Sequence, residues 1–206
     1  MAIQQPEIRL PPPKKKGDVS LEEAIAKRRS VRRYAAEPVP LSSLSQIMWA
    51  AQGITDSDMQ LRAVPSAGVL FPLEIYVLVG IDGVEGLQEG VYHYNVDRHS
   101  LECLKLGDLK AELARAALRQ QFVYRAALDI VICAVYERTA WRYGRRAERY
   151  VHIEVGHVGQ NICLQAMALG LGAVPIGAFD DEQVVGILGT REEVRPLYII
   201  PIGKPA

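Results

Sequence analysis

Apolar residues recur at helical spacing in two segments near the N-terminus, over residues 21–29 and 43–53. Each segment opens on a capping-box pattern, Ser20–Glu23 in the first and Ser43–Gln46 in the second. Gly53 is suited to end the second segment. We therefore predict two half-buried helices, of which the first carries two arginines on its last turn.

Strands and helices alternate further along the chain. Leu128 to Val135 is a nearly continuous apolar, β-branched run, which is typical of a strand covered on both faces at the centre of a sheet. A long helix is predicted over 147–169, where Gly156 and Gly159 would let another helix approach. Further strands are predicted at 75–79, 90–94, 101–106 and 197–202, and shorter helices at 109–117 and 181–188, capped by Asp108 and by Asp180 or Asp181. Because the strands lie among helices without regular βαβ units, this order favours an α+β sandwich over a doubly wound sheet.

The 206 residues, 49% of them hydrophobic, suffice for one sizeable core. We predict a single domain over residues 18–206, preceded by a Pro- and Lys-rich arm over residues 1–17 in which the prolines forbid a helix. No apolar run reaches the roughly 20 residues of a membrane helix, and the N-terminus has no apolar signal-peptide core. We therefore expect a cytoplasmic protein that does not bind a membrane.

Charge and cysteine content narrow the function classes further. Basic and acidic side chains number 24 each, so the formal net charge is zero and no global field favours nucleic acid or an anionic membrane. Any anion site must therefore be local. Cys103, Cys133 and Cys163 are widely spaced in apolar surroundings, which indicates buried core thiols rather than a disulfide framework or a redox pair.

The stretch Arg28–Arg32 is a candidate for such a local site, because it places three guanidiniums and the Ser30 hydroxyl within five residues. This fork of donors suits a phosphate beside a planar ring, which suggests an anionic cofactor. The alternative is a solvated basic helix end, where arginine complements the helix dipole. The five residues alone leave both interpretations open.

The sequence gives little support for other common nucleotide-binding, hydrolase or metal sites. Gly170–Gly172 begins like a dinucleotide fingerprint, but Pro175 occupies the third glycine position and the stretch ends a helix. The sequence has no Walker A loop and no GxSxG nucleophile elbow. His152 and His157 are five residues apart, so a helix turns them to different faces, and no ligand spacing predicts a metal site. With Glu154, they are expected to be satisfied interior or interface polar groups.

Four short motifs follow one another in a distinctive order. They are Arg-Arg-Ser-x-Arg at 28–32, Pro-Ser-Ala-Gly at 65–68, Gly-x-Gly-Ala-Val-Pro-Ile-Gly at 170–177 and Gly-Lys-Pro at 203–205. In this order and at these intervals, the chain resembles the FMN-dependent nitroreductase family over about residues 20–205. The run from Arg149 to Asn161 is most similar to the SagB-type dehydrogenase branch of that family.

The resemblance implies an FMN site. The first two arginines and the serine of the first motif would hold the phosphate, and Arg32 would stabilise negative charge at the pyrimidine edge of the reduced ring. The 65–68 loop would reach the flavin from the partner subunit. Residues 175–177 would lie against its dimethylbenzene side and N5, and Lys204 would add a second cationic phosphate contact. The implied cofactor-binding residues are Arg28, Arg29, Ser30, Arg32, Pro65, Ser66, Ala67, Gly68, Pro175, Ile176, Gly177, Gly203 and Lys204.

Two positions depart from the family pattern. Gly177-Ala178 lies where better-known bacterial members have an acidic residue followed by glycine. Lys204-Pro205 lies where many members have two basic residues. The phosphate contact is therefore expected to depend more on Arg28 and Arg29.

The implied activity is ping-pong oxidoreduction, in which NADH or NADPH gives hydride to flavin N5 and an oxidised acceptor such as a nitroaromatic or quinone then takes the electrons. The flavin carries the chemistry, so no catalytic side chain and no metal are predicted. The implied fold is a nitroreductase-like sandwich, with a central, mostly antiparallel sheet flanked by helices, in an interlocked homodimer. Substrate choice is expected to depend on Phe71, Phe122, Tyr124, Trp141 and Tyr143, for which core packing is the alternative.

Two other functions stay open. An azoline peptide oxidase or dehydrogenase of the SagB type would run the flavin in the opposite direction, with oxygen as the final acceptor and a peptide-modifying partner. A non-enzymatic flavin-binding protein would use the same arginines equally well.

Overall fold

The computed structural model describes residues 7–206. Its helices are α1 (Leu21–Lys27), α2 (Leu41–Gln52), α3 (Lys110–Ala116), α4 (Gln121–Arg125), α5 (Glu137–Tyr143), α6 (Ala147–Ala168) and α7 (Asp181–Leu188). Its strands are β1 (Glu7–Arg9), β2 (Ile54–Asp56), β3 (Leu61–Arg62), β4 (Leu73–Val79), β5 (Gly90–Asn95), β6 (Ser100–Leu106), β7 (Leu128–Ala134), β8 (Gly172–Ala173) and β9 (Arg195–Gly203). Seven strands form one sheet in the order β1-β6-β5-β4-β7-β9-β8, in which all neighbours are antiparallel, and β2 and β3 form a separate hairpin.

Strand β7 explains how both faces of the sheet are covered. All seven of its residues are buried. Ile130 and Ile132 belong to one apolar cluster with α2 and α6, whereas Val131 and Cys133 belong to a second cluster with α3, α4 and α7. Successive side chains of a strand point to opposite faces, so helices pack on both sides. The predicted α+β sandwich around an antiparallel sheet is confirmed.

The starts of the first two helices differ in their caps. The Ser20 hydroxyl accepts the N–H of Glu23 at 3.1 Å, which confirms the first capping box. The second is wrong: α2 begins two residues earlier, and the carbonyl of Pro40 accepts the first N–H groups without a side-chain cap. Proline is tolerated at a helix start because it fixes φ in the helical range.

Helix α1 is less buried than its pattern predicted. Only Ala24 is buried, while Leu21 and Ile25 are 63% and 55% exposed. The helix also ends at Lys27, so the predicted placement of two arginines on its last turn is wrong. An amphipathic pattern does not say whether its apolar side meets the chain's own core or another surface.

The glycines of α6 do not contact another helix. A Cβ on Gly159 would come within 3.1 Å of the Tyr198 ring on β9, and one on Gly156 would meet nothing within 4 Å. No helix of the same chain therefore approaches α6 at these two glycines, and the open side of Gly156 leaves the approach of a helix from a second copy a prediction. The three cysteines are free and buried, as predicted.

The described part of the N-terminal arm packs onto the domain. Strand β1 pairs with β6, and Leu10 is 7% exposed within the core. The backbone of Lys14 exchanges hydrogen bonds with the Gln46 side chain, at 2.8 and 3.0 Å. Neither β1 nor the β2–β3 hairpin was predicted, and residues 1–6 of the arm lie outside the described residues. Between residues 7 and 206, no helix combines the length and apolarity required to cross a membrane.

Candidate functional site

The 28–32 motif starts where α1 ends. The backbone N–H of Arg28, the C-cap residue, donates to the Ala24 carbonyl at 2.9 Å. The Arg29 guanidinium folds back and donates to the carbonyls of Ala26 and Arg28, at 2.9 and 2.8 Å. The last carbonyls of a helix lack partners within it, so these bonds stabilise the end of α1. Arg29 thus stabilises the end of the helix, which is the alternative role that the sequence left open for the whole 28–32 motif.

The middle of the motif lies beside β8. Ser30 forms a parallel bridge with Ala173, and the Val31 N–H donates to the Ala173 carbonyl at 3.1 Å. A Cβ on Gly172 would lie only 2.6 Å from the Val31 side chain. Glycine at 172 therefore permits the close approach that holds the motif against β8.

The end of the chain lies against the same strand. Gly203 pairs with Gly172, and the Ala35 N–H donates to the Lys204 carbonyl at 2.9 Å. The Lys204 ammonium forms an ion pair with Glu37 at 2.5 Å, and both side chains are more than half exposed. The structure thus brings the 28–32 motif and the 203–204 segment to opposite edges of β8.

The 175–177 segment continues from β8. Ile176 exchanges two backbone hydrogen bonds with Ile199 of β9, at 2.8 and 3.0 Å. Gly177 beyond it is exposed, and a Cβ there would meet nothing within 4 Å. The Arg32 guanidinium lies 5.8 Å from the ring centroid of Phe122 on α4. The residue before α4, Gln120, donates to the carbonyl of residue 178 at 3.3 Å, so α4 lies beside both segments.

The 65–68 loop lies elsewhere, against the middle of α6. The Ser66 hydroxyl donates to Glu154 at 2.6 Å and accepts the N–H of Phe71 at 3.0 Å. Glu154 is only 2% exposed and also accepts from the Gln52 amide at 3.3 Å. Burial raises the pKa of Glu154, and the hydrogen bonds from Ser66 and Gln52 oppose this rise. Glu154 is thus a satisfied interior group, as predicted.

The two places lie at different points along α6. The 65–68 loop contacts Glu154 in the middle of the helix, whereas β8 follows the end of the helix at Ala168, fourteen residues further along. Within one chain, the 65–68 loop and the other three motifs thus lie toward different parts of α6.

The five aromatic residues predicted to determine substrate choice also lie at these two places. Phe122 and the half-exposed Tyr124 lie on α4, beside Arg32. Phe71 lies under the Arg62 guanidinium at 4.3 Å, next to the 65–68 loop. Near the same loop, Trp141 is 74% exposed and Tyr143 packs edge-on against Tyr150, with centroids 4.9 Å apart. Core packing therefore does not explain Trp141 or Tyr124.

The histidines of α6 lie on the surface of the single chain rather than in its interior. His152 and His157 are exposed, and the Nε2 of His152 lies 2.7 Å from the Tyr136 hydroxyl. Residues 7–206 contain no group of three or more His, Cys, Asp or Glu side chains placed to hold a metal ion.

Comparison with known proteins identifies the family to which this chain belongs. The model of the nitroreductase family matches residues 25–204. The nitroreductase-like protein MJ1384 of Methanocaldococcus jannaschii is 45% identical over 204 residues, which cover 99% of this chain and 96% of that protein. The chain belongs to the nitroreductase family. The family predicted from the four motifs is thus confirmed.

Further similarities to oxidoreductases support the same family assignment. A Thermus thermophilus NADH dehydrogenase is 30% identical over 197 residues, covering 89% of this chain and 85% of that protein. A nitroreductase structure from Ralstonia eutropha superposes with a TM-score of 0.84 at 27% identity, covering all of this chain and 92% of the other. The NADPH:FMN oxidoreductase of Vibrio harveyi, solved with NAD+, has the same fold, with a TM-score of 0.64, 23% identity and coverage of 89% and 68%. The prediction of an FMN-dependent oxidoreductase is confirmed.

A further relative is named for the processing of trifolitoxin. The trifolitoxin-processing protein TfxB of Rhizobium leguminosarum is 36% identical over 114 residues, which cover 53% of this chain and 30% of that protein.

Proposed function

We propose that this nitroreductase binds FMN beside β8 and transfers electrons from NADH or NADPH to a small oxidised acceptor such as a nitroaromatic or quinone. One observation carries the proposal: backbone contacts join the 28–32 motif, β8 and the 203–204 segment at one place. Three separate parts of the sequence thus supply cations, a hydroxyl and an open glycine to one region, which supports a ligand site there.

The residues at this place fit FMN. The segment that carries Arg28 and Ser30 lies along one edge of β8 and the segment that carries Lys204 along the other, so the same two-residue strand positions both cationic segments. Arginine and a hydroxyl are suited to a phosphate because they form charge-assisted hydrogen bonds with its oxygens. Gly177 offers an open backbone surface to a flat ring. The contact from Lys204 would compete with its ion pair to Glu37.

FMN, when bound, supplies the ring that accepts and passes on hydride. The protein's part is to bind and orient. Arg28, Ser30 and Lys204 would hold the phosphate, and Arg32 would place a positive charge at the pyrimidine edge, where it stabilises negative charge. Backbone at residues 175–177 would lie along the other edge, and no side chain of the site has to act as an acid, base or nucleophile.

We also propose that the protein is a homodimer. Within one chain, the 65–68 loop lies against Glu154 in the middle of α6 and the other three motifs lie at β8, so the loop of a second copy would complete each FMN site. Two apolar side chains on α1, those of Leu21 and Ile25, are 63% and 55% exposed and offer a contact surface. A cytoplasmic location stays a prediction.

The deciding experiment is anaerobic reduction of the purified protein. We expect yellow protein that releases FMN on denaturation and loses its visible flavin absorption when NADH or NADPH is added. A following screen of nitroaromatics and quinones would identify the acceptor. Colourless protein that does not take up added FMN would contradict the proposal.

The similarity to TfxB favours one second candidate, an oxidase or dehydrogenase of azoline-containing peptides that acts with a peptide-modifying partner. The same reduction experiment separates the two. Under the second candidate, an azoline peptide reduces the flavin and neither nicotinamide nucleotide does so.

A further inference from the structure

Four arginines surround the start of α6. Arg142 lies near the end of α5, Arg145 and Arg146 lie in the 3-10 turn that follows, and Arg149 lies in the first turn of α6. With the single carboxylate of Glu148, this stretch carries a net charge of +3 in a chain whose net charge is zero. All four are exposed, and none takes part in a salt bridge within residues 7–206. We call them the α6 arginine group.

Part of this group lines a groove. The groove has a volume of about 550 Å³ and is lined by Arg145, Glu148, Arg149, His152 and Ile153. Arg149 and Ile153 are four residues apart on α6, so they lie on one face of the helix, and Arg145 lies in the turn just before it. The groove therefore has a basic wall beside an apolar side chain, and its size is within the range of small-molecule sites rather than of an extended peptide.

Contacts join the α6 arginine group to the 65–68 loop, which would complete the FMN site. Arg142 donates to the Gly68 carbonyl at 3.5 Å, and a Cβ on Gly68 would come within 2.7 Å of the Tyr143 hydroxyl. The end of α5 and the 65–68 loop thus pack together. If that loop reaches the flavin of the partner subunit, the α6 arginine group of the same subunit lies near that flavin too.

We infer that the α6 arginine group binds the 2′-phosphate of NADPH and makes NADPH the preferred electron donor. This inference rests on the proposed function. Arginine is suited to a phosphate because its planar fork donates two parallel hydrogen bonds to it. NADH lacks this phosphate and is otherwise the same molecule, so the group can distinguish the two donors. The guanidiniums of this group give up no salt bridge in the described chain when a phosphate binds.

The test is the double variant Arg145→Gln/Arg149→Gln, purified with FMN. We expect its KM for NADPH to rise about tenfold to a hundredfold, as the loss of charge-assisted hydrogen bonds predicts, with little change in the KM for NADH. The matched control is Arg191→Gln, which removes an 85% exposed arginine paired with Glu193 at 3.2 Å. Unchanged flavin absorption and melting temperature would establish that the variants fold.

A binding measurement makes the test independent of turnover. By calorimetry, adenosine 2′,5′-bisphosphate should bind the FMN-loaded protein more tightly than adenosine 5′-diphosphate, and the double variant should lose this preference. Equal binding of the two nucleotides overturns the inference, as does a change in the KM for the acceptor alone. If the protein is yellow and reduced by NADH in those cases, the proposed function stands and only the inference fails. Colourless protein instead refutes the proposed function itself.

Discussion

At the scale of single residues, neighbouring side chains of the same type do different work. Arg28 and Arg29 are adjacent in sequence, yet only the Arg29 guanidinium donates hydrogen bonds to the carbonyls at the end of α1. The Arg28 guanidinium donates no such bond to the helix end. We therefore assign most of the phosphate contact to Arg28 and Ser30.

The substitution Arg28→Ala should weaken FMN binding about tenfold to a hundredfold, because it removes charge-assisted hydrogen bonds to the phosphate. Arg32→Ala should mainly alter the rate and potential of flavin reduction. Fluorescence titration of the apoprotein with FMN and anaerobic reduction measure the two effects. Arg33→Ala, an exposed arginine outside the site, is the control. Unchanged affinity and spectra in both site variants would defeat these assignments.

The hydrogen bond from Ser66 to Glu154 gives a second prediction at the scale of single residues. Its hydroxyl donates to the buried carboxylate of Glu154, so Ser66→Ala should lower the free energy of unfolding by about 1–3 kcal/mol. The pKa of Glu154 is raised above its ordinary value of 4.5, so this carboxyl contributes most stability at low pH and loses it as pH rises through the raised pKa.

Because Ser66 stabilises the ionised carboxylate, the deficit of Ser66→Ala should be largest at neutral pH and shrink as Glu154 becomes protonated. Urea unfolding at several pH values measures this trend. Ser57→Ala, in an exposed turn, should show no such pH dependence. A deficit that is constant with pH would rule out the role given to Glu154.

At the scale of elements, the two-residue strand β8 positions the site. It pairs with β9 on one side and contacts residues 30–31 on the other, so both cationic segments depend on it. The hydrophobic pattern does not predict so short a strand, because two residues carry no periodicity. Gly172 is the residue that makes this arrangement possible.

The substitution Gly172→Ala should destabilise the protein by about 1–3 kcal/mol and weaken FMN binding, because the new Cβ overlaps Val31 and forces the 28–32 motif away from β8. Thermal melting and FMN titration measure the two effects. In contrast, Gly186→Ala in α7, where a Cβ meets nothing within 4 Å, should be neutral or stabilising. Equal behaviour of the two variants would contradict this role for Gly172.

At the scale of the whole molecule, two features of the single chain favour the proposed association with a second copy. The 65–68 loop and the aromatic residues near it lie apart from the other motifs. Helix α1 exposes two large apolar side chains although its pattern is amphipathic. A second copy that packs against α1 and α6 would account for both observations.

The substitution Ile25→Glu should therefore shift the protein from dimer to monomer, because it places a charge in an apolar contact. Ile81→Glu is the matched control, since Ile81 is 65% exposed on a loop outside α1 and α6. Size-exclusion chromatography with light scattering measures the mass. The monomeric variant should also bind FMN more weakly, since each site would lose the partner's loop. Dimers that persist in Ile25→Glu would exclude this face.

Local patterns determined much of this protein. Periodicity predicted the long strands and α6, because each of these elements is long enough to repeat its pattern. Four motifs in order were sufficient to predict the family. The start of α2, the strand β1 and the β2–β3 hairpin were not predicted, because a proline carbonyl replaced a side-chain cap and because very short strands depend on their partners.

Only the tertiary structure decided which motifs come together. Contacts between residues 30 and 173, and between 172 and 203, join parts of the chain that no local pattern connects. It also decided that Ser66 binds Glu154 and that Arg142 contacts the 65–68 loop. The physical reason is that a sequence pattern records the preference of each segment, whereas a site depends on the long-range packing that places segments side by side.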